Sequence, residues 1–121
     1  MNSQRLHILV LDDDWSITNL LACLLEPEAD VTTAHSFDEA RAALAVGAAF
    51  DVLLCDYRVD GVASSAFLAC VAACHPRLRR VLMTGSPLRE WEVMLTLGVV
   101  AVALRKPFTI EQLSAALRPD E

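Results

Sequence analysis

The sequence predicts an α/β domain built as a doubly wound, five-stranded parallel sheet with five helices. Three observations carry that prediction. Five short apolar runs alternate with five helical patterns along the chain. Most of the runs are continuously apolar rather than alternating, as parallel strands covered on both faces require. The chain has 121 residues, 55% of them hydrophobic, with a mean hydropathy of +0.40, enough for one core and too few for two.

The elements follow in order. LHILVL (Leu6 to Leu11) reads as the first strand and ends at Asp12. WSITNLLACLLE is a helix stopped at Pro27, and Asp14 just ahead of it suits an N-cap. VTTA (Val31 to Ala34) is the second strand. Ser36 and Glu39 form a capping-box pattern opening FDEARAALAVG, with Gly47 as the C-terminal cap. DVLLC (Asp51 to Cys55) is the third strand, followed by the helix SSAFLACVAACH, which stops at Pro76. RVLM (Arg80 to Met83) is the fourth strand. The fourth helix, PLREWEVMLTLG, starts with Pro87 in its first turn and ends near Gly98. VVAVAL (Val99 to Leu104) is the fifth strand. Thr109 and Gln112 then cap a last helix with Ile110, Leu113 and Leu117 on one face. This alternation implies right-handed crossovers with helices on both sides of the sheet.

Composition narrows the function. The formal net charge of −6 disfavours direct binding to nucleic acid, and the one basic run, PRLRR at Pro76 to Arg80, reads as a solvated loop. No secretory leader is legible, and no run reaches the ~18 apolar residues of a membrane span. A cytoplasmic domain is expected. The four cysteines (Cys23, Cys55, Cys70, Cys74) form no C-x-x-C pair and read as small buried hydrophobes. Cys70, Cys74 and His75 lack the fourth ligand of a metal site.

The chemistry lies at the strand ends. Asp12 and Asp13 follow the first strand, Asp56 the third, Thr84 the fourth and Lys106 the fifth. Doubly wound sheets bind ligands beyond the carboxyl ends of their strands. Three carboxylates converging there without a cation would repel one another and raise their pKa values. A magnesium ion resolves that repulsion with oxygen ligands. Thr84 and Lys106 suit a phosphoryl oxygen, and a carboxylate can attack phosphorus to give an aspartyl phosphate.

VLDDD, LLCDYRVDG, LMTGS and LRKPF, in this order and spacing, resemble the receiver domain of bacterial two-component response regulators, over essentially the whole chain. The resemblance implies a flavodoxin-like sheet of strand order 2-1-3-4-5, as in the chemotaxis regulators, with residues 1–121 as a single receiver domain and no output domain. It implies Asp56 as the phosphoacceptor. Asp13 and Asp56 would coordinate magnesium, or manganese in its place, with Asp12 acting through water and the backbone carbonyl of Arg58 as a further ligand. It makes Thr84 the switch hydroxyl, Lys106 the phosphate-binding cation and Lys106–Pro107 a cis peptide. Such a domain is a signalling phosphoacceptor rather than an enzyme acting on a separate substrate. Its partners would be a sensor histidine kinase or phosphotransfer protein, a downstream target or output domain, and a second copy in a homodimer. The face made by the fourth helix, fifth strand and fifth helix is the family's usual docking surface, and Leu88, Trp91 and Leu95 are expected to stand on it.

The chain departs from the family pattern in three places. Asp60 stands where proline is frequent and is expected to be a solvated loop residue. Ala103 stands at the aromatic switch position, so readout is expected through packing of the fourth helix instead. That helix is apolar around most of its circumference, more than the ~100° stripe a one-sided helix needs. Arg58 and Ser86 occupy positions that tune phosphoryl lifetime in the family. The runner-up reading is a receiver-like interaction module that works without phosphorylation. An aspartyl-phosphate hydrolase would need a cap or extra substrate pocket, and a flavin site would want Ser, Thr and Gly where Asp12 to Asp14 stand.

Overall fold

The computed structural model of the chain describes residues 5–47 and 49–119. Strands β1 (Leu6–Leu11), β2 (Ala29–Ala34), β3 (Val52–Asp56), β6 (Arg79–Thr84) and β7 (Val102–Arg105) form one parallel sheet in the order β2-β1-β3-β6-β7. Counted alone, these five strands run 2-1-3-4-5. A short antiparallel ribbon, β4 (Arg58–Val59) with β5 (Val62–Ala63), follows β3. The helices are α1 (Trp15–Leu25), α2 (Phe37–Ala45), α3 (Ser65–Cys74), α4 (Glu92–Thr96) and α5 (Ile110–Leu117).

Side chains alternate between the two faces of a strand, and the core divides accordingly. Leu9, Leu11, Leu53, Cys55 and Leu82 face one layer, where Ala40, Phe67, Leu68, Val71, Trp91 and Met94 cover them from α2, α3 and the α4 region. Ile8, Val10, Val52, Leu54, Val81 and Met83 face the other, covered by Leu21 and Leu25 of α1 and by Leu113, Ala116 and Leu117 of α5. A sheet covered on both faces explains why its strands read as unbroken apolar runs.

Local chemistry sets the helix starts. The Asp14 side chain accepts the Ser16 N–H and caps α1. Thr109 and Gln112 form a reciprocal capping box at α5. At α2 only half of the expected box forms: Ser36 accepts the Glu39 N–H, while the Glu39 carboxylate reaches past the cap to the His35 N–H. Gly47, just after α2, has φ +83, a conformation a side chain would resist.

Three expectations need correction. The fourth helix does not start at Pro87 but at Glu92 and holds five residues. Ahead of it Thr84 Oγ1 accepts the Ser86 N–H and Ser86 Oγ accepts the Leu88 N–H, and the Glu92 N–H reaches the Arg89 carbonyl three residues back, as in a turn rather than an α-helix. Trp91 is not on an exposed face: it is 3% exposed, whereas Leu88 and Leu95 are 64% and 37% exposed. Ala103 and Arg105 alternate to one face of β7, and the Arg105 guanidinium lies 5.9 Å from the Trp91 ring centroid, so the indole covers the face where Ala103 presents only a methyl group. Of the cysteines, only Cys55 is buried; Cys23, Cys70 and Cys74 are exposed. Helices α1 and α3 are apolar nearly all round, and their outer faces therefore carry apolar residues too. Exposed Leu20, Leu24, Val93 and Leu97 account for more of the high hydropathy. Among the described residues no helix is long and apolar enough to cross a membrane.

Candidate functional site: an acidic pocket at the strand ends

Parallel strands deliver their terminal residues to one edge, and β1 and β3 are neighbours in register, with Leu11 opposite Cys55. The residues that follow, Asp12, Asp13 and Asp56, are thereby brought together: each offers a carboxylate oxygen, and these oxygens all lie within 4.8 Å of one another. No other group of three potential metal-ligating side chains converges among the described residues, Cys70, Cys74 and His75 included.

Asp12 is 2% exposed. Its Oδ1 accepts the Asp14 N–H at 3.0 Å, whereas its Oδ2 is buried with no hydrogen-bond partner. The nearest cation, Lys106 Nζ, is 3.8 Å from that oxygen. Burial pushes the Asp12 carboxyl above the ordinary carboxylate range, aided by the charge of Asp56 and opposed by the Asp14 N–H and Lys106. Asp56 is also raised, again chiefly by burial, although Lys106 and the Tyr57 N–H pull the other way. Lys106 Nζ lies 3.0 Å from Asp56 Oδ1, and the Tyr57 N–H reaches the same oxygen at 3.1 Å. Asp14 behaves differently: hydrogen bonds from the Ser16 hydroxyl and N–H hold it below the usual range. The triplet thus divides into two pocket carboxylates and one helix cap.

One buried and one half-buried carboxylate, both raised by desolvation, and an orphaned carboxylate oxygen are the signs of a site that wants a cation. Oxygen donors alone suit a hard divalent ion. The residues present fit one.

Beside the triad, a cavity of about 350 Å³ is lined by Asp56, Tyr57, Arg58, Thr84, Gly85, Ser86 and Lys106. Thr84 is 1% exposed, and its oxygen accepts the Ser86 N–H, which leaves its own hydrogen available to donate. The Lys106–Pro107 peptide is cis. Cys55, next to Asp56 in the chain, has its thiol pushed up to about 12 by burial and is an inert core residue.

Two further features border the pocket. Asp60 and Gly61 have φ 53 and φ 77 and form a two-residue hairpin turn between β4 and β5. The Asp60 N–H donates to Asp13 Oδ2 at 3.0 Å. Proline could neither adopt that φ nor supply that donor. The Asp-Gly pair is itself a signature of a tight hairpin with positive φ at both residues, so the signal was present. The second feature is an ion pair between Arg58 Nη2 and Glu90 Oε1 at 3.1 Å. Its partners are 32 residues apart, and no local pattern announces it.

The fold and the pocket define an acidic-pocket receiver, and similarity to known proteins agrees. The chain is 34% identical over 85 residues, 70% of its length, to the hydrogenase transcriptional regulatory protein HoxA of Cupriavidus necator, and spans 17% of that protein. A response regulator receiver domain from Clostridium thermocellum matches with a TM-score of 0.85 and 25% identity, over 93% of this chain and 90% of that one. A response regulator from Burkholderia pseudomallei, solved with a phosphorylated aspartic acid, a calcium ion and citrate, matches with a TM-score of 0.82 and 27% identity, over 93% of this chain and 66% of that one. No family model matches the chain. The chain is a response-regulator receiver domain of two-component signalling.

Proposed function

We propose that this receiver, residues 1–121 acting as one unit, accepts a phosphoryl group on Asp56. The observation that carries the reading is the Lys106 ammonium 3.0 Å from the Asp56 carboxylate, beside a buried Asp12 oxygen with no hydrogen-bond partner among the described residues. Asp12, Asp13, Asp56 and the Arg58 carbonyl would hold a divalent cation, Mg²⁺ or Mn²⁺ in its place. When bound, that ion supplies charge neutralisation for the carboxylates and the phosphoryl oxygens.

The chain's own residues do the rest. An Asp56 carboxylate oxygen attacks phosphorus in line, and the bond from phosphorus to the donor breaks, the electron pair leaving with the donor. The donor is a phosphohistidine of a sensor kinase or phosphotransfer protein, or a small acyl phosphate. Lys106 orients Asp56 and balances charge on the transferred group, and Thr84 donates its hydroxyl hydrogen to a phosphoryl oxygen. Asp60 steadies Asp13 through its backbone N–H. The downstream partner, whether a protein, an output domain or a second copy, would meet the flank of α4, β7 and α5, where Leu88, Val93 and Leu97 are exposed.

Incubation with acetyl phosphate and magnesium, read by intact mass, tests the proposal. A single phosphate adduct is expected, absent in Asp56→Asn and absent when EDTA replaces magnesium. An unmodified wild-type chain would instead support the module that binds partners without phosphorylation, the reading that Ala103 and Asp60 favour.

A further inference from the structure

One ion pair links the mouth of the acidic pocket to the start of α4. Arg58 lines the cavity beside Asp56, Thr84 and Lys106. Its guanidinium lies over the Tyr57 ring, 5.3 Å from the centroid, and its Nη2 is held by Glu90 at 3.1 Å. Glu90 directly precedes Trp91 in the chain. A cation beside the pocket is therefore tied to the segment that carries the buried indole.

Both ends of the tie look exchangeable. The Arg58 and Glu90 side chains are 54% and 40% exposed, and an ion pair that wet is easily given up. A phosphoryl group brings close to two negative charges and three strong acceptors, and guanidinium binds phosphate in two parallel hydrogen bonds. At the other end, Trp91 is buried and its Nε1–H has no partner among the described residues. Arg89 and Arg105 lie 5.8 and 5.9 Å from its ring centroid. A buried donor without an acceptor carries a standing cost, so its surroundings, not its own bonding, hold the indole in place. Ala103 across from it offers a methyl group and nothing that could swing.

We propose that Arg58 is a further phosphoryl-contacting residue, held in reserve by Glu90, and that its transfer to a phosphoryl group on Asp56 frees the Glu90–Trp91 segment. Trp91 then reports the state of the pocket that Ala103 cannot. The inference rests on the phosphoacceptor reading of Asp56.

The test uses the full chain carrying Trp15→Phe, which leaves Trp91 as the only tryptophan of the two in the sequence. Emission is recorded at rest and after acetyl phosphate with magnesium, with intact mass taken on the same samples. In the parent, phosphorylation shifts Trp91 emission to longer wavelength. Glu90→Gln and Arg58→Ala show that shift at rest, and the charge swap R58E/E90R restores the parent's resting spectrum, which separates loss of the ion pair from misfolding. An adduct on the parent together with resting spectra of Glu90→Gln and Arg58→Ala identical to the parent's would overturn this inference alone. A charge swap that leaves the shifted spectrum in place would also overturn it. No adduct on the parent would overturn both this inference and the reading of Asp56.

Discussion

The pocket at the ends of β1 and β3 and the flank from β6 through α4 to β7 are built by different means. In the pocket, backbone register does the work: two neighbouring parallel strands end together, and the residues that follow them meet. On the flank, a five-residue helix, a buried tryptophan and a surface ion pair depend on side chains finding one another. The pocket brings Asp12, Asp13 and Asp56 together beside Thr84 and Lys106, whereas on the flank Ala103 of β7 faces the layer that holds the buried Trp91. A change on the flank can therefore leave the pocket's geometry in place, because the two rest on different layers of structure.

The contrast can be broken most sharply at Asp56, where Asn should abolish the phosphate adduct altogether by mass. Lys106→Ala should slow adduct formation by about 100-fold, the usual effect of removing one preorganised charge from a transition state, measured from the time course of the adduct. On the flank the largest effect should be on stability. Trp91→Ala should cost about 3 kcal/mol in urea unfolding, as for a buried aromatic, whereas Leu97→Ser on the exposed side should stay within about 0.5 kcal/mol.

A smaller effect, of opposite sign, is expected in the pocket. Asp12 has its folded-state pKa raised by burial, so between the ordinary carboxylate value and that raised value the native state holds more protons than the unfolded one. Stability is therefore lost as pH rises through that window. Asp12→Asn should raise the Tm of the metal-free protein at pH values above that window. The gain should shrink below the carboxylate range and vanish when magnesium is added. Asp14→Ala, by contrast, should lower Tm slightly through loss of the α1 cap and leave the phosphate adduct unchanged.

Much of the molecule was legible before its structure. The strands were readable because both faces are covered, and the strand ends fixed which polar residues would meet. Asp14 was separable from Asp12 and Asp13 because a helix start has its own chemistry. The flank was not legible for physical reasons. Nothing in PLREWEVMLTLG says that its first residues will form turns and leave the helix to start at Glu92. A segment apolar on most sides cannot announce which side is inward, so Trp91 read as exposed and proved buried. The same ambiguity put Cys23, Cys70 and Cys74 in a core they do not enter. The Arg58–Glu90 pair is a long-range contact of two ordinary surface residues, which sequence order cannot show.

The central claim is that an acidic pocket of ordinary composition is coupled to the flank that holds Trp91. Its most direct test is an amide and indole NMR titration of the full chain with beryllofluoride and magnesium. The account predicts shifts at Thr84 and Lys106 that continue through Glu90 to the Trp91 indole N–H. Shifts confined to Asp12, Asp13, Asp56 and their immediate neighbours, with the Trp91 resonance unmoved, would contradict it.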